Sequence, residues 1–456
     1  MAERVTPLPS FGSTEAHNAL VGSQFSGQTN ITFQVRHDCL RSLAFREINA
    51  RRHDITHAHQ DTCDWLFDTL EFRQWMDPTC LQDHNGVFWI KGKPGAGKST
   101  LMKHAFHHFH KPGVRNYHLV AYFFNARGEK LEKAPLGMLR SMVHQLLRTD
   151  DALYAHFHQN FIPEGLEISD YQWRPLELQE FVRWAVTQRL STPFLLLVDA
   201  LDECNEPDAR HVVEFLESLR ILACQYRTQL KICLSSRHYP SITMRKAVEL
   251  KVEHSKDHER DISKYINERL TVNNFDIIYE IRRKANGIFI WVAIIASVVN
   301  KAYDEGQVEA MGRTLEEVPA DLDAMFSAIL GKDISNSAET VRMLQWVLLG
   351  LRPLTPQELF VAVVETAPPA SDIIQRRITT SSKGLVEIRR DYHTNSVQFI
   401  HLSVRGFLFR YKKLQMLDPT LGPEPFATIH GRLWARCRSS IKEAVTTSTP
   451  REHILW

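Results

Sequence analysis

An apolar run that breaks into glycines and closes on Lys-Ser-Thr, VFWIKGKPGAGKST over Val87–Thr100, restricts the fold more than any other stretch of the chain. Gly92-Lys93-Pro94-Gly95-Ala96-Gly97-Lys98-Ser99 fits G-x-x-x-x-G-K-[ST] without a mismatch. Glycines let backbone N–H groups converge on phosphate oxygens with no Cβ in the way. A helix opening at Ser99 turns its unpaired N–H groups and partial positive charge toward the same anion. The spacing predicts a strand, a phosphate-cradling loop and a helix. Gly92 to Thr100 are the candidate phosphate-binding residues. Lys98 is placed to reach the β- and γ-phosphates, and the Ser99 hydroxyl to ligate Mg²⁺.

Two further stretches belong to this chemistry. In FLLLVDALDEC (Phe194–Cys204), five apolar residues form a buried strand with Asp199 at its C-terminal end, where open α/β sheets place ligands. A carboxylate there can hold Mg²⁺ opposite Ser99. Asp202 and Glu203 follow, and Glu203 is suited to orient or deprotonate an attacking water. The competing reading is an acidic helix start with Asp202 as its cap. In KICLSSRHYP, Arg237 follows an apolar strand and two serines, so its guanidinium can meet a γ-phosphate or simply face solvent.

Strand-like runs at 87–91, 117–124, 194–198, 231–235 and 249–252 alternate with helical stretches such as Leu136–Arg148. That alternation predicts a P-loop α/β core, with a mostly parallel sheet covered by helices on both faces. After residue 255 helices follow near 257–270, 275–285, 287–303 and 320–330. GLVEIRR and VQFIHL around DYHTNS then suggest the hairpin of a winged helix. The expected division is a leader at 1–36, a helical lead-in at 37–80, the NTPase core at 81–254, a helical domain at 255–335, a winged-helix-like domain at 336–410, and a tail at 411–456 in which no repeat is seen. The leader reads as disordered, although NITFQV alternates at strand period and can add to a cross-β stack.

A formal net charge of +2 gives no general argument for nucleic acid or membrane surfaces, and Arg51-Arg52 reads as a solvated helix face. Seven cysteines without a Cys-x-x-Cys pair favour free thiols in a reducing, cytoplasmic setting. The longest apolar run, Ile288–Val299, is too short to span a bilayer. His104, His107 and His108 share a helix face opposite an apolar stripe, so they read as solvated rather than as metal ligands.

The Asp199-Ala200-Leu201-Asp202-Glu203 run, together with the cradle, resembles the NACHT domain of signal-transducing STAND NTPases. AHQDTCDWLF, FFNARG, LSSRHYP, KANGIFIWV, GLRPLTPQEL and VQFIHLSVRGFL look like the fungal NOD-like receptors, in that family's order from Leu40 to Leu408. The resemblance implies that Arg237 senses the terminal phosphate, that Ala285–Trp291 caps the nucleotide, and that His401 reaches the diphosphate of the resting state. It also implies ATP or GTP with Mg²⁺ (ADP or GDP at rest), slow hydrolysis, homo-oligomerisation under an unknown protein trigger, and a defence or self/non-self cell-death output. The alternatives are a P-loop ATPase with ordinary turnover coupled to substrate remodelling, and a scaffold whose nucleotide is only structural.

Overall fold

The computed structural model describes residues 35–446 except 46–47, 115, 127, 163–170, 189, 239–243, 332–336, 365, 367, 391–394 and 411. The leader segment with strand alternation, residues 24–36, lies outside the described residues apart from its last two positions, which open a helix. The chain divides into two compact units, Met1–Lys91 with Lys98–Leu250, and Gly92–Gly97 with Lys251–Trp456. Each has its own core.

The first unit is built on five strands: β1 (Val87–Lys91), β2 (His118–Phe123), β3 (Phe194–Asp199), β4 (Leu230–Ser236) and β5 (Val248–Lys251), in the order β2-β3-β4-β1-β5. β2 with β3, β3 with β4 and β4 with β1 pair in parallel. Every residue of β3 is buried, which is why it reads as an unbroken apolar run rather than an alternation. Helices precede and interleave the strands: α1 (35–43), α2 (Ala50–Asp54), α3 (Leu70–Met76), α4 (Leu81–His84), α5 (Lys98–His110), α6 (Pro135–Thr149), α7 (Asp151–Phe161), α8 (Pro175–Thr187) and α9 (Glu206–Tyr226). Asp150 and Asn205 accept backbone N–H bonds at the starts of α7 and α9, the ordinary remedy for unpaired helix donors.

The lead-in is part of this unit's core rather than an appendage. Cys39 and Leu43 of α1 are buried in the same apolar cluster as β2, β3 and α6. The Arg140 guanidinium closes the end of α1 by donating to the carbonyls of Ser42 and Ala44 at 2.7 and 2.9 Å. Burial of Arg140 is tolerable because its N–H groups find carbonyl acceptors.

The second unit is helical, with α10 (Lys256–Arg269), α11 (Phe275–Ala285), α12 (Phe289–Asp304), α13 (Val308–Glu317), α14 (Leu322–Gly331), α15 (Ser337–Leu349), α16 (Pro356–Val364) and α17 (Ser371–Ser381). The antiparallel hairpin β6 (Val386–Arg390) and β7 (Asn395–Phe399) follows, and an isolated bridge joins Leu354 to Val397. The region after the sheet is helical, and one apolar core runs through it from Ile262 to Ile429. The apolar run expected to be a buried helix lies in α12, and among the described residues no helix is long and apolar enough to cross a membrane.

α18 (Leu402–Phe409) follows the hairpin, and the described residues of the expected tail carry α19 (Lys413–Leu417) and α20 (Pro425–Thr446). Phe426, Ile429, Leu433 and Cys437 of α20 lie at helical spacing and pack on the core. That stripe alone makes an amphipathic helix.

Candidate functional site

The loop Gly92–Gly97 has the backbone its glycines predict. Gly95 and Gly97 take φ of +77° and +93°, the left-handed region that side chains resist. A Cβ on Gly95 would stand 2.2 Å from Ile290 Cγ2, whereas one on Gly97 would meet nothing within 4 Å. Three groups of the second unit hold this loop. The Ile290 N–H donates to the Gly95 carbonyl at 3.1 Å. The Lys93 N–H donates to Glu253 Oε2 at 3.2 Å, and Lys93 Nζ to the Asn286 carbonyl at 3.2 Å. The turn between Asn286 and Ile290 is pinned as well, because His258 Nε2 lies 3.0 Å from the Gly287 carbonyl. Burial lowers the pKa of His258, so its neutral form is favoured.

In the first unit, Lys98, Ser99 and Thr100 form the first turn of α5, and Lys98 is only 9% exposed. Asp199 ends β3 and is wholly buried. Its Oδ1 accepts a hydrogen bond from Ser235 Oγ, and its Oδ2 has no hydrogen-bond partner among the described residues. Burial pushes the Asp199 carboxyl up, opposed by the Ser235 and Ser99 hydroxyls and by the charges of Arg51 and Lys98. The Ser99 hydroxyl is thus near enough to favour the charged form without satisfying Oδ2. A buried, unsatisfied carboxylate oxygen beside a serine hydroxyl is a donor set for a hard divalent cation, so these residues fit Mg²⁺.

Beyond Asp199 the backbone swings at Ala200, whose φ of +55° is left-handed and whose N–H is held by Ser235 Oγ at 2.9 Å. A small residue there limits the steric cost of that turn. The turn delivers Leu201–Glu203 as a 3-10 helix. Asp202 does not cap a helix. Its Oδ1 accepts from the Arg237 N–H and its Oδ2 meets Arg237 Nε, both at 2.9 Å. Arg237 is therefore neither loose in solvent nor independent of Asp202. Glu203 Oε2 accepts from the Ala126 N–H at 2.8 Å, which fixes the carboxylate in place.

Arg51 departs from the expected solvated face. Its side chain is 12% exposed, with Nη2 3.8 Å from Glu203 Oε1 and no partner for Nε among the described residues. Its neighbour Arg52 lies 4.2 Å over the Phe106 ring. Lys103, one turn into α5, donates to the Ile55 carbonyl at 2.6 Å and so fastens the end of α2. Nothing in the local sequence marks Arg51, Ser235 or Glu253, because each acquires its role from a segment distant in the chain.

His401 N-caps α18, with Nδ1 accepting from the Ser403 N–H at 3.1 Å. The histidines of α5 are only partly solvated. His104 meets Asp64 at 2.8 Å, His107 stacks on His57 and His108 on Phe67. Among the described residues no group of three or more His, Cys, Asp or Glu side chains could hold a metal ion.

The family model of the N-terminal region of nephrocystin 3 matches residues 61–237, less than half of the chain. No curated protein matches. Among solved structures the chain is similar to Cdc6p from Pyrobaculum aerophilum, at 11% identity and a TM-score of 0.36, covering 84% of this chain and 98% of that one. It is also similar to the ORC2 protein of Aeropyrum pernix in ADPNP–ADP complexes, at 13% identity and a TM-score of 0.35, covering 85% and 98%. A Walker-type ATPase of Pyrococcus abyssi follows at 16% identity and a TM-score of 0.34, covering 78% and 99%. Likeness at these scores carries no argument about activity. The parallel sheet, its cradle and the helical region after it are those of a P-loop NTPase fold.

Proposed function

We propose that the chain is a nucleotide-dependent signalling switch of the NACHT type, binding ATP or GTP with Mg²⁺, hydrolysing it slowly and assembling into oligomers while triphosphate is held. The observation that carries this reading is the packing of the phosphate loop. Gly92–Gly97 belongs to the helical unit, through Ile290 on Gly95 and Glu253 on Lys93. Ile290 packs on the same core as the winged-helix hairpin, so a change of loop backbone reaches that core through short, directional contacts.

The residues divide the work as follows. The loop N–H groups and Lys98 receive the phosphates. Ser99 and Asp199 hold Mg²⁺, which when bound supplies neutralisation of phosphate charge. Glu203, fixed by the Ala126 amide, orients the attacking water, and Arg237, steadied by Asp202, faces the terminal phosphate. The motif order from Leu40 to Leu408 supports a defence or self/non-self output, with a protein trigger releasing the resting diphosphate form.

Glu203→Gln is the test, read by retained nucleotide, single-turnover phosphate release and light scattering. A switch keeps triphosphate, hydrolyses it more slowly and gains oligomer as the triphosphate state accumulates. A variant that retains triphosphate but gains no assembly refutes the switch. Rapid multiple turnover by the unmodified protein favours the remodelling ATPase instead.

A further inference from the structure

Two unsatisfied groups of opposite character lie at the end of the sheet in the first unit. Among the described residues, Asp199 Oδ2 is a buried oxygen with no donor, and Arg51 Nε is a buried nitrogen with no acceptor. The Arg51 charge is felt at Asp199, so the two groups share one electrostatic neighbourhood. The nearest carboxylate to Arg51, that of Glu203, stands 3.8 Å away, and its Oε2 is taken by the Ala126 amide. A guanidinium has five N–H donors in a rigid fork, and the one on Nε is buried here without an acceptor among the described residues, so the hydration loss of that donor is uncompensated. Native interiors rarely tolerate such a group unless a ligand completes it.

The helix that carries Arg51 is not free to swing away. Arg52 rests over the Phe106 ring, and Lys103 binds the Ile55 carbonyl, both from α5, the helix that also carries Lys98 and Ser99. α2 is thereby locked to the element that opens on the phosphate loop. The missing partners of Arg51 and Asp199 are an anion and a cation side by side. A magnesium-bound terminal phosphate provides both.

We propose that Arg51, supplied in cis by the short helix ahead of the sheet, binds the terminal phosphate of a nucleoside triphosphate and so distinguishes it from the diphosphate. The inference rests on the nucleotide reading above and adds a phosphate ligand to it. Bidentate geometry suits an arginine to phosphate oxygens, and Lys at this position would retain only the point charge.

The test uses the nucleotide-free full chain and measures its affinity for Mg·AMPPNP and Mg·GMPPNP against Mg·ADP and Mg·GDP, together with its melting temperature without nucleotide. Arg51→Gln is expected to weaken triphosphate-analogue binding by about tenfold to a hundredfold, the loss of one or two charged hydrogen bonds. Diphosphate affinity should stay within about twofold, since the group it loses faces only the terminal phosphate. Arg51→Lys should fall between. The melting temperature of nucleotide-free Arg51→Gln should hold or rise, because a buried charge with an unsatisfied donor has been removed. An unchanged ratio of triphosphate to diphosphate affinity in either variant overturns the inference. So does an equal loss of both with a lowered melting temperature, which marks Arg51 as a tether for α2 only. Arg51→Lys keeps the charge, so it decides the matter if the glutamine variant does not fold. Lys98→Ala runs in parallel: if it binds both nucleotides as tightly as the unmodified protein, it is the nucleotide reading that fails, and this inference falls with it.

Discussion

Replacing Gly95 by alanine probes the contact on which the switch reading depends. Two costs arise, and the structure separates them. A φ of +77° places an L-residue in the left-handed region, worth about 1–2 kcal/mol for alanine. The new methyl would also stand 2.2 Å from Ile290 Cγ2, far inside any real contact. Either the loop or the start of α12 must retreat, which costs a further ~1–3 kcal/mol by the measure of overpacked cores. Gly95→Ala should therefore destabilise the nucleotide-free protein by about 2–5 kcal/mol. Shortening the neighbour with Ile290→Ala removes the steric part but not the backbone part. The double variant should recover about 1–3 kcal/mol relative to the sum of the single ones. Gly97→Ala is the internal control, since its φ of +93° carries the backbone cost while its Cβ meets nothing within 4 Å. Guanidinium unfolding of six proteins (the unmodified chain, the three single variants, and Ile290→Ala combined with each glycine change), compared at constant slope, gives these differences. A coupling between positions 95 and 290 below about 0.5 kcal/mol, or one as large between 97 and 290, would refute the claim that Ile290 grips the loop.

Asp199→Asn keeps an acceptor for Ser235 but removes the charge at the unsatisfied Oδ2. Thermal melts should show no loss of stability without nucleotide, while the extra stabilisation that Mg²⁺ adds to nucleotide disappears. His144 on α6 is held by burial, with Arg148 assisting, at a pKa of about 4 against an ordinary 6.5. The unfolded chain takes up this proton first, so the contribution of His144 to stability is complete above 6.5 and declines as pH falls toward 4. His144→Gln should reduce the loss of stability between pH 7 and pH 5 by about 1–2 kcal/mol, and an unaltered pH profile would show that the site is not buried as described.

How much of this was legible depended on how local the information is. The glycines marked a loop whose backbone amides can converge without Cβ atoms in the way, because backbone sterics act within one residue, and the structure gives Gly95 and Gly97 positive φ. The unbroken run of β3 predicted a strand buried on both faces with Asp199 at its end, since such runs have no solvent side to mark. The roles of Asp202 and Arg237 were separable in the sequence but are joined in the structure at 2.9 Å. The stripe of Phe426, Ile429, Leu433 and Cys437 lies at helical spacing in the sequence, but what it packs on is set by residues distant in the chain.

Sequence alone thus determined what the backbone must do: a strand, a glycine loop open to phosphate, a helix, and a carboxylate at the end of a buried strand. Those features follow from dihedral freedom, hydrogen-bond donors and apolar runs among neighbours in the chain. Tertiary structure decided which charges are lifted out of water. Arg51 has the sequence surroundings of a solvated helix face, yet in the structure it stands at 12% exposure beside Glu203, on a helix fastened by Phe106 beneath Arg52 and Lys103 on the Ile55 carbonyl. Glu253 and Ile290 likewise reach the phosphate loop from beyond the last strand. The energy of a charge depends on its solvent and its partners in space, and neither is written in the residues beside it.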